Sequence, residues 1–250
     1  MFREHRSKKK KLKILLIVLL SLLLAAGLSL LAFFYVFTVK NVTVKGNEIY
    51  QSEAIERFVL DDEYSWSTLY VFFKYRFRKT GQLPFVDSVS VSIKSPHSLE
   101  IKVTEKAMLG YVYLRNLGQN AYFDKEGFVV ETSSQVIAGV PQVTGLDMDQ
   151  VVLYEKLPIK GSNVLKNLLL LTQMLKKYEM LPDNIVFAAD FSCSLEYGDI
   201  KVLLGTSDKL TEKIQRLSYI LPKLEGKSGT LHLESWSENT TDISFEQTKE

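Results

Sequence analysis

Residues 88–104 read SVSVSIKSPHSLEIKVT, and their alternation decides the kind of domain this chain builds. Val89, Val91 and Ile93 alternate with Ser88, Ser90 and Ser92; Leu99, Ile101 and Val103 alternate with Glu100, Lys102 and Thr104. A period of two places all the branched apolar side chains on one face of each strand, and Ser95-Pro96-His97-Ser98 between the runs supplies a turn, so the segment is an amphipathic hairpin. Its apolar face must be covered, most economically by what precedes it in the chain.

Two helices precede it. In the first, Ser52 is placed to cap, Glu53 and Glu56 lie near the positive end, and Ala54, Ile55, Phe58 and Val59 recur on one face before Asp61-Asp62 stops it. The second covers about 66–79, with Leu69, Phe72, Phe73 and Phe77 as its expected core stripe, Lys74, Arg76, Arg78 and Lys79 mostly displaced from it, and Gly81 and Pro84 ending it. Ahead of both, Val42 and Val44 alternate with Asn41, Thr43 and Lys45, and Gly46-Asn47 turns the chain. The order is β-α-α-β-β. His97, in the hairpin turn, reads as an exposed loop residue.

The interleaved segment Lys74-Tyr75-Arg76-Phe77-Arg78-Lys79 has the composition of a single-strand nucleic-acid platform. Basic side chains snorkelling beside a buried aromatic stripe explain the pattern, and this reading is strongly preferred because the orientation also places the segment outside the cytoplasm, where nucleic acid is not expected.

That placement comes from the N-terminus. Ile14–Phe37 is a run of 24 uncharged residues, and no charge appears before Lys40. As a helix it is roughly 36 Å long, enough to cross a hydrocarbon core of about 30 Å with some tilt. Residues 1–13 hold seven bases against Glu4, whereas Lys40, Lys45 and Arg57 beyond the run are balanced by Glu48, Glu53 and Glu56, so the positive-inside rule puts the N-terminus in the cytoplasm. Tyr35 suits the far interface. The rival reading is a cleaved signal peptide with Ala25-Ala26-Gly27 as its site; the apolar run continues well past those residues, which a cleavable core does not need.

Composition narrows the function. The chain has 46% hydrophobic and 24% charged residues, which indicates ordered domains. Removing the tail from totals of 31 bases and 29 acids leaves 24 and 28, so the exported part is mildly acidic and disfavours a nucleic-acid partner. Cys193 is the sole cysteine, and His5, His97 and His232 are in no ligand spacing, so neither a disulfide framework nor a zinc site is expected.

Beyond Glu105 the chain is strand-rich. Met108–Leu114, Ala121–Asp124 and Phe128–Thr132 suggest a meander, 145–162 reads mostly as loop, and 163–178 reads as a helix with Val164, Leu168, Leu171 and Leu175 on one stripe. Ile185–Phe187 follows, then a hairpin of Leu195–Tyr197 and Ile200–Leu204 about Gly198-Asp199. Gly205-Thr206-Ser207-Asp208-Lys209 lacks the second glycine of a phosphate loop; Ser207 or Asp208 instead caps a helix carrying Leu210, Ile214, Leu217 and Leu221.

Several of these segments resemble one family. A basic tail, one membrane helix, then Val42-x-Val44-x-Gly46-Asn47 with a helix near Ser52 looks like the start of a POTRA domain in the bacterial division proteins called FtsQ or DivIB. Pro84-Phe85-Val86, Ser95-Pro96-His97-Ser98-Leu99 and Glu105-Lys106 are similar to that family's pattern. Further on, 122–129, 140–145, Val202-Leu203-Leu204-Gly205 with Lys209-Leu210, and Gly229–Glu234 resemble its β domain. His232 departs from it, at a place where an acidic residue is common. The resemblance implies a basic cytoplasmic tail (1–13), a transmembrane helix (14–37), a POTRA domain (38–105), a mixed β-rich domain with two helices (106–246) and a short tail (247–250): a single-pass protein with an α+β extracytoplasmic region, enriched at the division septum.

It also implies a non-catalytic divisome component that needs no cofactor, metal or small-molecule substrate. Its partners would be two small bitopic coiled-coil proteins, FtsB/DivIC-like and FtsL-like, and through them the septal peptidoglycan synthase complex. In the family the contact lies on the last strands, here Thr230, Leu231, His232, Leu233, Glu234 and Ser235, then Thr241, Asp242, Ile243, Ser244 and Phe245, with Trp236 nearby. Thr241, Ile243 and Phe245 share one face of that last strand, and an exposed strand can accept a partner strand by main-chain hydrogen bonds.

Two other classes stay open. A Ser-His-Asp hydrolase could be assembled from His97 or His232, and Asp61-Asp62 or Asp147 with Asp149 are paired carboxylates, but no nucleophile-elbow motif accompanies them. Cys193 has no nearby His and Asn to make it a nucleophile. A membrane-anchored chaperone or translocation module of POTRA type is the alternative binding reading.

Overall fold

The computed structural model describes residues 2–146, 148, 150–160, 163–236 and 243–248. The chain divides into two compact units, Met1–Glu105 and Lys106–Glu250.

The first unit opens with α1 (Phe2–Val36), whose helix continues back through the basic tail instead of starting at residue 14. Lysine and arginine are good helix formers, and a helix already nucleated by the apolar run extends into them cheaply. Then follow β1 (Asn41–Lys45), α2 (Ser52–Val59), α3 (Thr68–Phe77), β2 (Val86–Ser95) and β3 (Ser98–Glu105). The sheet order is β1-β3-β2. β2 and β3 form the hairpin, with Val91 opposite Ile101, and β1 joins β3 in parallel, with Val42 beside Leu99 and Val44 beside Ile101. Ile55 and Val59 of α2 and Val71 of α3 pack with Val91, Leu99, Ile101 and Val103 as one core.

Three sequence expectations change here. Ser52 is the first helical residue and not the cap, which falls to Gln51 without a side-chain bond; the Asn47 amide instead donates to the Ser52 hydroxyl at 3.3 Å. His97 is half-buried and not an exposed turn residue, because its ring Nδ1 lies 3.1 Å from the Thr38 carbonyl and its own carbonyl accepts from the amides of Lys40 and Asn41. The largest change is α3. Its buried residues are Thr68 and Val71, while Phe73 is 51% and Phe77 74% exposed. The helix is held by its first turn: the Ser67 hydroxyl accepts from the Tyr70 amide, and the Thr68 hydroxyl donates to the Pro96 carbonyl at 2.8 Å. With that turn pinned, the face one turn on from Thr68 meets the sheet, and the aromatic stripe points away from it.

Among the described residues, the second unit is one sheet of nine strands with two α-helices. Its strands are β4 (Gly110–Leu114), β5 (Gln119–Phe123), β6 (Val129–Ser133), β7 (Gln142–Thr144), β8 (Asn184–Phe187), β9 (Cys193–Tyr197), β10 (Ile200–Gly205), β11 (Gly229–His232) and β12 (Ser244–Gln247); α4 (Val164–Lys177) and α5 (Leu210–Ile220) complete it, with a single 3₁₀ turn at Leu221–Leu224. The order is β12-β11-β10-β9-β8-β7-β4-β5-β6. The expected meander β4-β5-β6 and the hairpin β9-β10 are both present and antiparallel. Between them sits β7, three residues long and parallel to both β4 and β8. Leu168, Leu171 and Leu175 of α4 and Leu210, Ile214 and Leu217 of α5 share a core with Val112, Phe123, Ile185, Leu195, Val202 and Leu204. The residue capping α5 is Lys209, in the left-handed region at φ 55°, not Ser207 or Asp208. Among its described residues, the 145–162 stretch carries isolated bridges, Phe128 to Lys156 and Met148 to Ile159.

Candidate partner-binding edge

β11 runs parallel to β10, and β12 closes the sheet antiparallel to β11, pairing Gly229 with Gln247, Thr230 with Glu246, Leu231 with Phe245 and His232 with Ser244. The last strand therefore occupies 244–247, further along the chain than the expected 241–245, and it absorbs Gln247 from what reads in sequence as tail. Thr241 and Asp242 lie outside the described residues, as do Asp147 and Asp149.

β12 has β11 on one side and no neighbouring strand on the other among the described residues. Which of its backbone groups face outward follows from the pairing. The Thr248 amide donates to the Ser228 carbonyl at 3.0 Å. Antiparallel ladders alternate bonded and non-bonded pairs, so Ser244, Glu246 and Thr248 point their amides to β11 while Phe245 and Gln247 point theirs outward. The amides of β11 agree: Gly229 donates to Asp199 and Leu233 to Leu203, on the β10 side.

The side chains alternate too. Leu231 and Leu233 are buried, and Ile243 and Phe245 are half-buried against the same core. Ile243 and Phe245 are thus largely occupied by their own domain and are not the free recognition side chains that the alternation suggests. Ser244 and Glu246 occupy the exposed positions. Ser235 is exposed in the turn that follows β11, and Thr230 is half-buried.

Three charged groups meet on this edge. His232 Nδ1 lies 2.7 Å from a Glu234 carboxylate oxygen, and its Nε2 lies 3.7 Å from Glu246 of β12. The hydrogen bond to Glu234 raises the His232 pKa above its ordinary 6.5; partial desolvation opposes this, and the charges of Glu234 and Glu246 add to it. Beside them, Trp236 has the Lys209 ammonium 5.9 Å and the Arg216 guanidinium 5.8 Å from its ring centre. Lys213, one turn before Arg216, is buried and donates to the Leu204 carbonyl at 2.7 Å; desolvation lowers its pKa.

Sequence reasoning missed five participants. Glu246 and Gln247 were hidden by the register of the last strand. Lys209 and Arg216 are seven residues apart, a spacing that places both on one side of α5, but nothing local ties them to Trp236. Gly229 carries a positive φ of 153° directly under β12.

The remaining candidates serve structure. Asp61 and Asp62 both pair with Lys74, at 2.5 and 3.0 Å. The thiol of Cys193 is buried and desolvation pushes its pKa up to about 12, leaving no thiolate at neutral pH. Among the described residues no group of three His, Cys, Asp or Glu could hold a metal ion.

A three-stranded sheet with two helices behind a membrane-length helix, followed by a nine-stranded domain, defines an anchored protein with a POTRA module and a β domain. Residues 37–106 match the family model described as POTRA domain, FtsQ-type. This match shows an FtsQ-type POTRA domain within the chain and supports an FtsQ-like role in cell division. No curated protein matches the chain.

Proposed function

We propose that this chain is a non-catalytic, single-pass component of the bacterial divisome that captures FtsB/DivIC-like and FtsL-like partners on its second domain and so helps regulate septal peptidoglycan synthesis. The observation that carries the reading is the edge of β12, which has no second neighbouring strand among the described residues, with the amides of Phe245 and Gln247 turned outward beside a His232–Glu234–Glu246 cluster. A partner strand added there would gain a ladder of main-chain bonds, while Ser244, Glu246 and the Trp236 corner would read its side chains. The N-terminus lies in the cytoplasm and both domains outside it. One anchor confines the edge to a layer near the membrane, which raises its effective concentration toward partners anchored in the same bilayer.

The test is co-purification. The full chain, tagged at the N-terminus so that β12 stays uncovered, is recovered from membranes of its native host in mild detergent, and associated proteins are identified by mass spectrometry. Two small single-span coiled-coil proteins with septal synthase components are expected. A mixture of unrelated exported polypeptides instead would replace this reading with that of a translocation or chaperone module.

A further inference from the structure

The α3 stripe that the sequence marks as core is real, but the core does not use it. Leu69, Phe73 and Phe77 stand at i, i+4 and i+8, and Phe72 and Arg76 lie on the same side. Phe73 stacks on Phe77 with ring centres 5.9 Å apart and meets the half-buried Phe72 edge-on at 5.4 Å, so Phe73 and Phe77 form an exposed apolar surface with Phe72 at its margin. Arg76, Arg78 and Lys79 are exposed around its C-terminal end.

This surface begins where the membrane helix ends. The Thr68 amide donates to the Phe37 carbonyl at 2.9 Å, the Val39 amide donates to the Trp66 carbonyl at 2.7 Å, and Thr38 bridges Ser67. α1 therefore passes into the domain without a slack linker, and the first turn of α3 is bonded to the residues that leave the bilayer. At about 1.5 Å per residue, a ten-residue helix keeps every backbone position within roughly 15 Å of that exit along its axis. The headgroup layer beyond the hydrocarbon is about 5–8 Å deep on each side. Tyr35 and Trp66 flank the same exit, the residue types that suit this layer.

We infer that the outer face of α3 docks on the lipid bilayer, with Phe73 and Phe77 entering the interfacial region and Arg76 and Lys79 contacting anionic phospholipid headgroups. Exposed aromatic rings with bases beside them suit the interface plane, where apolar side chains sit about 5–10 Å deep. Tethering by α1 removes most of the entropic cost of such a contact, so a short helix suffices. The docking would hold the POTRA unit against the membrane instead of letting it project freely.

The experiment uses the full chain in lipid nanodiscs. In a W66F/W236F background, Phe77→Trp places a single tryptophan on the patch and Phe73→Trp is its companion on the same face. Tyr219→Trp, at an exposed position on α5 of the other unit, is the control. Replacing ordinary acyl chains by chains brominated near the headgroup is expected to reduce emission from position 77 roughly twofold and leave position 219 unchanged. The loss is expected to be larger in phosphatidylglycerol than in phosphatidylcholine, and R76E/K79E is expected to remove that difference. If positions 73 and 77 both behave like position 219, the inference is overturned. Quenching that is equal in the two lipids and indifferent to R76E/K79E overturns the headgroup contact, and shielding that appears only with a bound protein reassigns the face to that protein.

Discussion

Gly229 lies directly beneath Glu246: a Cβ at position 229 would stand 2.2 Å from the Glu246 carbonyl oxygen and 2.9 Å from the Gln247 Cα. Backbone sits where a side chain would go, and φ at Gly229 is 153°, so β12 can close on β11 only because this residue has no Cβ. Gly229→Ala is expected to displace β12 while leaving β10, α5 and the rest of the core in place. Amide exchange at 244–248 should accelerate at least tenfold, equivalent to about 1.4 kcal/mol, with little change at 200–205. Unaltered exchange at 244–248 would show that the strand accommodates the methyl group.

The two faces of β12 make a paired test. Gln247→Pro removes an amide that points outward, whereas Glu246→Pro removes one that bonds to β11. Partner recovery in the co-purification should fall about tenfold for Gln247→Pro, the worth of one main-chain bond, while its melting temperature stays near that of the parent. Glu246→Pro should lower both. Full partner recovery by a folded Gln247→Pro variant would exclude strand addition at this edge.

His232 links the edge to pH. Its folded-state pKa lies above the ordinary 6.5, so the stabilisation it lends β12 is fully present below about pH 6.5 and is lost as pH rises through the higher folded value. Solvent reaches all three groups, which keeps the effect modest. After correction for intrinsic exchange, the amides of Ser244 and Glu246 should be less protected at pH 8 than at pH 6, and His232→Gln should flatten that difference. Protection that rises with pH would contradict the assignment.

The rotation of α3 predicts an inverted mutational pattern. Val71→Ala removes two buried methyl groups from the POTRA core and should cost about 2 kcal/mol in urea unfolding. Phe77→Ser, although it deletes a far larger side chain, should change stability by less than about 0.5 kcal/mol, because that ring is exposed. The reverse order would place the aromatic stripe in the core.

Local periodicity made much of this protein legible. Alternation at 88–104 specified a hairpin, the uncharged run from Ile14 specified a membrane-length helix, and the stripe Val164, Leu168, Leu171 and Leu175 specified α4 with its buried face. In each case the chain's own repeat encodes both the element and the face that seeks cover. Tertiary structure decided what a repeat cannot express. Leu69, Phe73 and Phe77 also recur at helical spacing, yet bonds from Thr68 to Pro96 and Phe37, far away in sequence, turn that side outward. β7 exists because β4 and β8 lie on either side of Gln142–Thr144, a segment too short to signal a strand alone. The register of β12 is likewise set by β11 and by the missing Cβ at Gly229. Periodicity tells that a segment has two faces; only contacts between distant segments determine which face is covered and which backbone edge is left open.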